Sequence, residues 1–151
     1  MKDLTMTNEV DAQAPPTPRQ VAEAWFSSLE QGDLGSAQTL LDENVVWENI
    51  PPTQGVSDLA PWLGSYRGVA AVMKSIGVWA GYARLLSFKL LRLLVDGPEA
   101  VGIVHEHNQC LANNNEYDVY VAANIRIVAG KITHYRVYWD ISPLIKAYRN
   151  I

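Results

Sequence analysis

Residues 117–140 read YDVYVAANIRIVAGKITHYRVYWD, and the order of apolar and polar side chains in this stretch decides the fold. Alternate residues of a strand share a face. From Tyr117 to Val128 the odd positions Val119, Val121, Ala123, Ile125 and Ile127 are apolar, whereas the even ones include Asp118, Tyr120, Asn124 and Arg126. The pattern predicts a half-buried strand with its odd residues inside. Ala129-Gly130 turns the chain tightly into a second strand, Lys131 to Asp140, with Tyr135, Val137 and Trp139 inside and His134, Arg136, Tyr138 and Asp140 outside.

Further strands precede this hairpin. Ala100 to Leu111 alternates as a strand, turned back by Asn113-Asn114-Asn115. Its odd positions run Val101, Ile103, His105, His107 and Gln109, and continuity with Val101 and Ile103 predicts that both histidines point inward. Leu85 to Val95 is an apolar segment closed by the turn Asp96-Gly97-Pro98. Nearer the N-terminus, Val45 to Ile50 is a short strand with Trp47 and Asn49 on one face and Glu48 on the other. Pro51-Pro52 ends it.

The rest reads as helix and loop. Thr17-Pro18-Arg19-Gln20 is a capping box opening a helix to about Gln31, striped by Val21, Ala22, Trp25, Phe26 and Leu29. Gly32 ends it, and Asp33 caps a short helix carrying Leu34, Ala37, Leu40 and Leu41. Val69, Val72, Met73 and Ile76 recur at i, i+3, i+4 and i+7, giving a third helix that ends near Gly77 to Gly81. Ser142-Pro143 starts a terminal helix, with Asp140 and Ser142 as its caps. Between Pro51 and Tyr66 lies a loop whose segment 56–65, with Leu59, Trp62 and Leu63, is either a lid or a surface loop pinned by Trp62. Helices first and antiparallel strands after are the α+β order, with helices on one face of a curved sheet. Residues 1–16 read as a mobile leader and residues 17–151 as one domain.

Composition excludes several classes. A net charge of -4 over 151 residues offers no basic field for a phosphate backbone, so nucleic acid is not an expected partner. Cys110 is the only cysteine, which rules out an internal disulfide and a multi-cysteine metal site and makes a poor case for a nucleophile. No signal-peptide pattern and no membrane-length apolar run is present, so the expected location is the cytoplasm, with no membrane contact.

The inner face carries polar groups among apolar ones. Asn49, His105 and His107 need partners there, since each unpaired buried polar group costs ~1–3 kcal/mol. They either satisfy one another within a packed core or orient a ligand. A metal would need a third ligand that the inner face lacks, so neither metal nor cofactor is expected.

Several motifs carry a family resemblance. Trp47-Glu48-Asn49-Ile50-Pro51-Pro52, the helix entry Tyr66-Arg67-Gly68, Gly130-Lys131-Ile132-Thr133 and Arg136-Val137-Tyr138-Trp139-Asp140 resemble limonene-epoxide hydrolases. These are grouped with SnoaL-like cyclases and ketosteroid isomerases in the nuclear transport factor two superfamily. The resemblance spans roughly Thr17 to Arg149. It implies a sheet wrapped around helices as a cone with a deep pocket, in a homodimer formed through the outer sheet face. In those hydrolases an aromatic and an asparagine on the first strand and an aspartate on the last hold the water that opens the epoxide. Asn49 matches the asparagine, Trp47 replaces the aromatic, and Val137 stands where the aspartate would be. An arginine between two aspartates completes the hydrolases' proton relay, and that arginine and the first aspartate align with His105 and His107 to within one residue.

With Val137 unable to take a proton, the hydrolase mechanism does not carry over. The cyclases' acidic residue also falls on Val137, and the isomerases' base falls on Asn49. The expected function is therefore general acid/base chemistry by His105 or His107 on a small apolar terpenoid, steroid-like or polyketide ligand, by epoxide opening or isomerisation. Asn49 would be catalytic with them, and Trp47, Tyr135, Val137, Trp139, Val119, Val121, Trp25 and Met73 would line the substrate site. The alternatives are a non-catalytic binding protein that has lost its carboxylates and a dimeric scaffold with an unused pocket.

Overall fold

Thr17 opens the first helix as its sequence predicts: its Oγ1 accepts from Gln20 N at 3.2 Å, and Gln20 Oε1 accepts from Thr17 N at 2.9 Å. The computed structural model describes residues 14–55 and 57–151. Residues 1–13 of the expected leader, and Val56 of the segment 56–65, lie outside the described residues. Helix α1 (Pro18–Glu30) buries Val21, Ala22, Trp25 and Phe26. Asp33 caps α2 (Leu34–Thr39), accepting from Ser36 N at 3.0 Å. Leu41, expected on that helix, instead begins the first strand.

The strands are β1 (Leu41–Glu48), β2 (Ser65–Arg67), β3 (Ala83–Asp96), β4 (Glu99–Cys110), β5 (Glu116–Val128) and β6 (Lys131–Trp139), with α3 (Val69–Ala80) between β2 and β3 and α4 (Ser142–Arg149) at the end. They form one sheet in the order β2-β1-β6-β5-β4-β3. Every pairing is antiparallel except β1 with β6, which is parallel. The architecture is the expected α+β one, a curved, unclosed sheet with helices in its concavity. Two irregularities in β3, between Leu85 and Ser87 and between Leu90 and Arg92, supply curvature, because a bulge sharpens local twist. The triplet Ser65–Arg67, too short to show a period, pairs with β1. Asp140 Oδ1 accepts from Ser142 N at 2.9 Å at the entry to α4. Among the described residues, no helix is long and apolar enough to cross a membrane.

Register overturns one expectation. Directly opposed residues of an antiparallel pair point to the same face. Strand β5 keeps its odd residues inside, as predicted, with Tyr117, Val119, Ala123, Ile125 and Ile127 buried. Opposite them on β4 lie Asn108 (with Tyr117), Glu106 (with Val119), Val104 (with Val121) and Gly102 (with Ala123). The inner residues of β4 are therefore the even ones, and His105 and His107 lie on the outer face. The residues from Ala100 to Val104 are apolar on both faces, so continuity within β4 could not settle its parity.

The same register places Gly102 under Phe26, which is fully buried. A Cβ at Gly102 would fall 2.2 Å from Phe26 Cζ and within 2.8 Å of two further ring carbons. Helix α1 can approach the sheet this closely only because the side chain is absent. Gly102→Ala should therefore destabilise the protein by about 1–3 kcal/mol in urea unfolding, the range for an overpacked core; an unchanged midpoint would contradict the close packing.

Candidate active site

Between α1, α3 and the inner sheet face lies a cavity of about 320 Å3, near the lower end of the ~300–1,000 Å3 usual for small-molecule sites. Its walls are strongly aromatic. All five tryptophans of the chain, Trp25, Trp47, Trp62, Trp79 and Trp139, line it. Because β1 and β6 pair in parallel with Trp47 opposite Tyr135, those two rings stack at 3.9 Å and 3°. Trp25 meets both edge-on, at 6.1 and 5.4 Å between centroids. Such contacts hold the aromatic wall rigid.

Of the residues expected as substrate contacts, Trp25, Trp47, Val119, Val121, Tyr135, Val137 and Trp139 border this cavity, as does Asn49, expected to be catalytic. Met73 does not. Helix α3 turns Ser75, Ile76 and Trp79 to the cavity, and Met73, half-buried, lies off that stripe. Trp62 reaches the cavity from the loop between β1 and β2, and Leu144 reaches it from α4. Both are buried in a second apolar cluster with Ala60, Leu63, Cys110, Tyr117 and Val119. The loop is tied back to α4 by Arg149 Nη2, which donates to Gly55 O at 2.7 Å.

Asn49 is oriented by its neighbours. Its Oδ1 accepts from Ile50 N at 2.7 Å and from Trp139 Nε1 at 2.9 Å. The acceptor side of the amide is thus occupied, and Nδ2 remains to donate to whatever enters the cavity. Three strands along the sheet, on β4, are Glu106 and Asn108, which replace the two histidines as the inward polar residues of that strand. Asn108 Nδ2 donates to Glu106 Oε2 at 3.3 Å. Among the described residues, none that lines the cavity is Lys, Arg or His, and Glu106 is the only carboxylate there. Burial pushes its pKa up, against the opposing pull of the Asn108 hydrogen bond and the charge of His105. The hydroxyls of Tyr135 and Tyr117 are raised as well, chiefly by burial, and stay protonated.

The histidines form a separate outer cluster. Asp118 Oδ1 lies 2.8 Å from both His105 Nε2 and His107 Nδ1, and His107 Nε2 lies 3.3 Å from Glu116 Oε1. Hydrogen bonding to His107 and His105 lowers the Asp118 pKa, and the bond to Asp118 raises that of His107. The two histidines lie on the face of the sheet away from the cavity, opposite Tyr120 and Asp118. Among the described residues, no group of three or more His, Cys, Asp or Glu converges as metal ligands would. Glu106 and Asn108 could have been found by carrying the parity of β5 across the hairpin at Asn113–Asn115.

Comparison with known proteins places this geometry among relatives. The SnoaL-like domain family matches residues 22–135. A nuclear transport factor two-like protein from Burkholderia thailandensis is 20% identical, with a TM-score of 0.75, over 88% of this chain and 98% of its own. A candidate isomerase from Rhodopseudomonas palustris is 19% identical, with a TM-score of 0.72, over 92% of this chain and 100% of its own. A candidate polyketide cyclase from Pseudomonas putida is 20% identical, with a TM-score of 0.68, over 87% and 98%. At these identities the likeness establishes the fold alone. No curated protein matches the sequence.

Glu106 is half-buried by its surface, and its removal from water has a consequence for stability. Its pKa is raised on folding, so the native state holds the proton more tightly than the unfolded state does, and stability falls as pH rises through the window between the two values. Glu106→Gln keeps the shape and cannot ionise. Its thermal midpoint should exceed that of the wild type at about pH 8, with the advantage vanishing by about pH 4, where the unfolded carboxyl also protonates. A wild type more stable than the variant at the higher pH would contradict the cost assigned to this carboxylate.

Proposed function

The chain belongs to the SnoaL-like domain family, and on that premise we propose an enzyme of isomerase or cyclase kind that moves a proton on a small, largely apolar carbonyl compound. Glu106 is the carrier. The observation that supports this reading is that, among the described residues, a single carboxylate, raised in pKa by burial, borders an aromatic cavity lined by no cationic side chain. A raised pKa makes the carboxylate a stronger base at neutral pH than an exposed one would be.

In this proposal Glu106 takes a proton from the carbon next to the carbonyl. Negative charge then moves to the carbonyl oxygen, where Asn49 Nδ2 donates to it. Where a neighbouring double bond extends the enolate, return of the proton from Glu106 to the far carbon completes an isomerisation; attack of the enolate carbon on a second carbonyl closes a ring, and the new alkoxide oxygen takes the proton back from Glu106. The aromatic walls exclude water and hold the apolar skeleton. Epoxide hydrolysis fits less well, because it needs one group to activate water and another to protonate the oxirane, and Val137 leaves Glu106 without a second carboxyl. The acid/base role expected of His105 and His107 passes to Glu106. Val137 also favours a second reading, a non-catalytic binding protein.

Exchange of α-hydrogens in heavy water tests this without knowledge of the natural product. The wild type should accelerate exchange in a bicyclic ketone such as 1-tetralone. Glu106→Gln should reduce the acceleration by about 100-fold or more, and the double variant His105→Ala, His107→Ala should retain it. Equal rates in the wild type and Glu106→Gln would remove Glu106 from the role. Binding without exchange would favour the binding protein, and no binding the scaffold.

We also propose a homodimer through the outer sheet face, on which Leu94, Tyr120 and Tyr138 are 48%, 62% and 51% exposed. Sedimentation equilibrium should give twice the chain mass, and a monomer at every concentration would contradict it.

A further inference from the structure

We propose that the ligand carries a hydroxyl group, read by Asn108 and Tyr117 on the wall beside Glu106. The inference rests on the carbonyl reading above and extends it to the substrate's other end. Asn108 and Tyr117 are directly opposed on β4 and β5, both border the cavity, and they are 1% and 5% exposed. Asn108 Oδ1 and Tyr117 Oη are both buried without a hydrogen-bond partner. Each such orphan costs roughly 1–3 kcal/mol, and two on adjacent positions of one wall form an unused acceptor beside an unused hydroxyl.

The orientation of Asn108 is set by its other amide atom. Nδ2 donates to Glu106 Oε2, which leaves Oδ1 as an acceptor needing a donor. A ketone or an ether oxygen could not supply one. A ligand hydroxyl donates to Asn108 Oδ1 and accepts from the Tyr117 O–H, so one group satisfies both. Both atoms are closed over in the structure, so recognition of the hydroxyl requires the two side chains to turn into the cavity they border. Apolar side chains at these positions would have sealed the wall without any polar loss, so the pair selects a ligand with a matching group.

Spacing fixes where the hydroxyl belongs. Glu106 and Asn108 are two residues apart on one strand face, roughly 6.6 Å at the usual strand rise. The hydroxyl therefore lies about one ring away from the carbon that exchanges its proton with Glu106. The ligand class is a mono- or bicyclic ketone bearing an alcohol or phenol across the ring system.

Calorimetric binding of 1-tetralone, 6-hydroxy-1-tetralone and 7-hydroxy-1-tetralone tests this directly. At least one hydroxylated isomer should bind the wild type about 10-fold or more tightly than 1-tetralone. Tyr117→Phe and, as a second variant, Asn108→Ala should each reduce that preference to about threefold or less while 1-tetralone still binds. Equal affinity of the three ligands for the wild type would overturn the proposal, as would a preference that survives both substitutions. If 1-tetralone binds and exchanges its α-hydrogens but no hydroxyl preference exists, the carbonyl reading stands and the hydroxyl subsite falls. If no tetralone binds, both fall.

Discussion

The pairing of β4 with β5 is the constraint on which the rest of the molecule depends. With Glu106 opposite Val119 and Asn108 opposite Tyr117, a carboxylate and an amide face the cavity and two histidines face away from it. A slip of one residue would exchange them, since the side-chain period of a strand is two. Two features hold the register. Gly102 must sit beneath Phe26, where no side chain fits, and the aromatic and aliphatic odd residues of β5 must be buried. Core packing under α1 therefore decides which titratable groups the cavity receives.

What the cavity then offers follows from contrast. Five indoles and several aliphatic side chains surround a few polar groups, and the partners of two of them, Asn49 and Glu106, are fixed. Asn49 is held through its oxygen by Trp139 and the chain itself, so it can only donate. Glu106 is raised by burial and meets one weak donor, Asn108. A donor and a proton acceptor on the cavity wall suit a substrate that develops negative charge on oxygen as it gives up a proton from carbon. The outer histidine cluster lies on the other face of the sheet, beside Asp118 and Glu116, and shares none of this environment.

Much of this was legible in the sequence. The capping box at Thr17, the α3 periodicity, the β5 alternation and the motifs around Trp47-Glu48-Asn49 and Arg136-Val137-Tyr138-Trp139 were enough for the α+β class and for most of the cavity wall. What could not be read came from places where local pattern is silent. From Ala100 to Val104 both faces are apolar, so only cross-strand register assigns His105 and Glu106 to their sides. On α3 the apolar positions cover more than one face, and packing against the sheet selects Ser75, Ile76 and Trp79 over Met73. Trp62 belongs to a segment with no period at all, and its place in the wall depends on contacts with α4 and β5 that are distant in sequence.

The central claim is that Glu106 faces an apolar cavity and is hard to ionise there. Carbon-13 NMR of the protein labelled at the glutamate side-chain carboxyl, with Glu106 assigned by its loss in Glu106→Gln, measures this group directly. Its titration midpoint should lie above the ordinary glutamate value of about 4.3 and fall towards that value in a urea-unfolded sample. A midpoint at or below the ordinary value in the folded protein would place Glu106 in water or beside a cation, and would contradict both the site and the chemistry assigned to it.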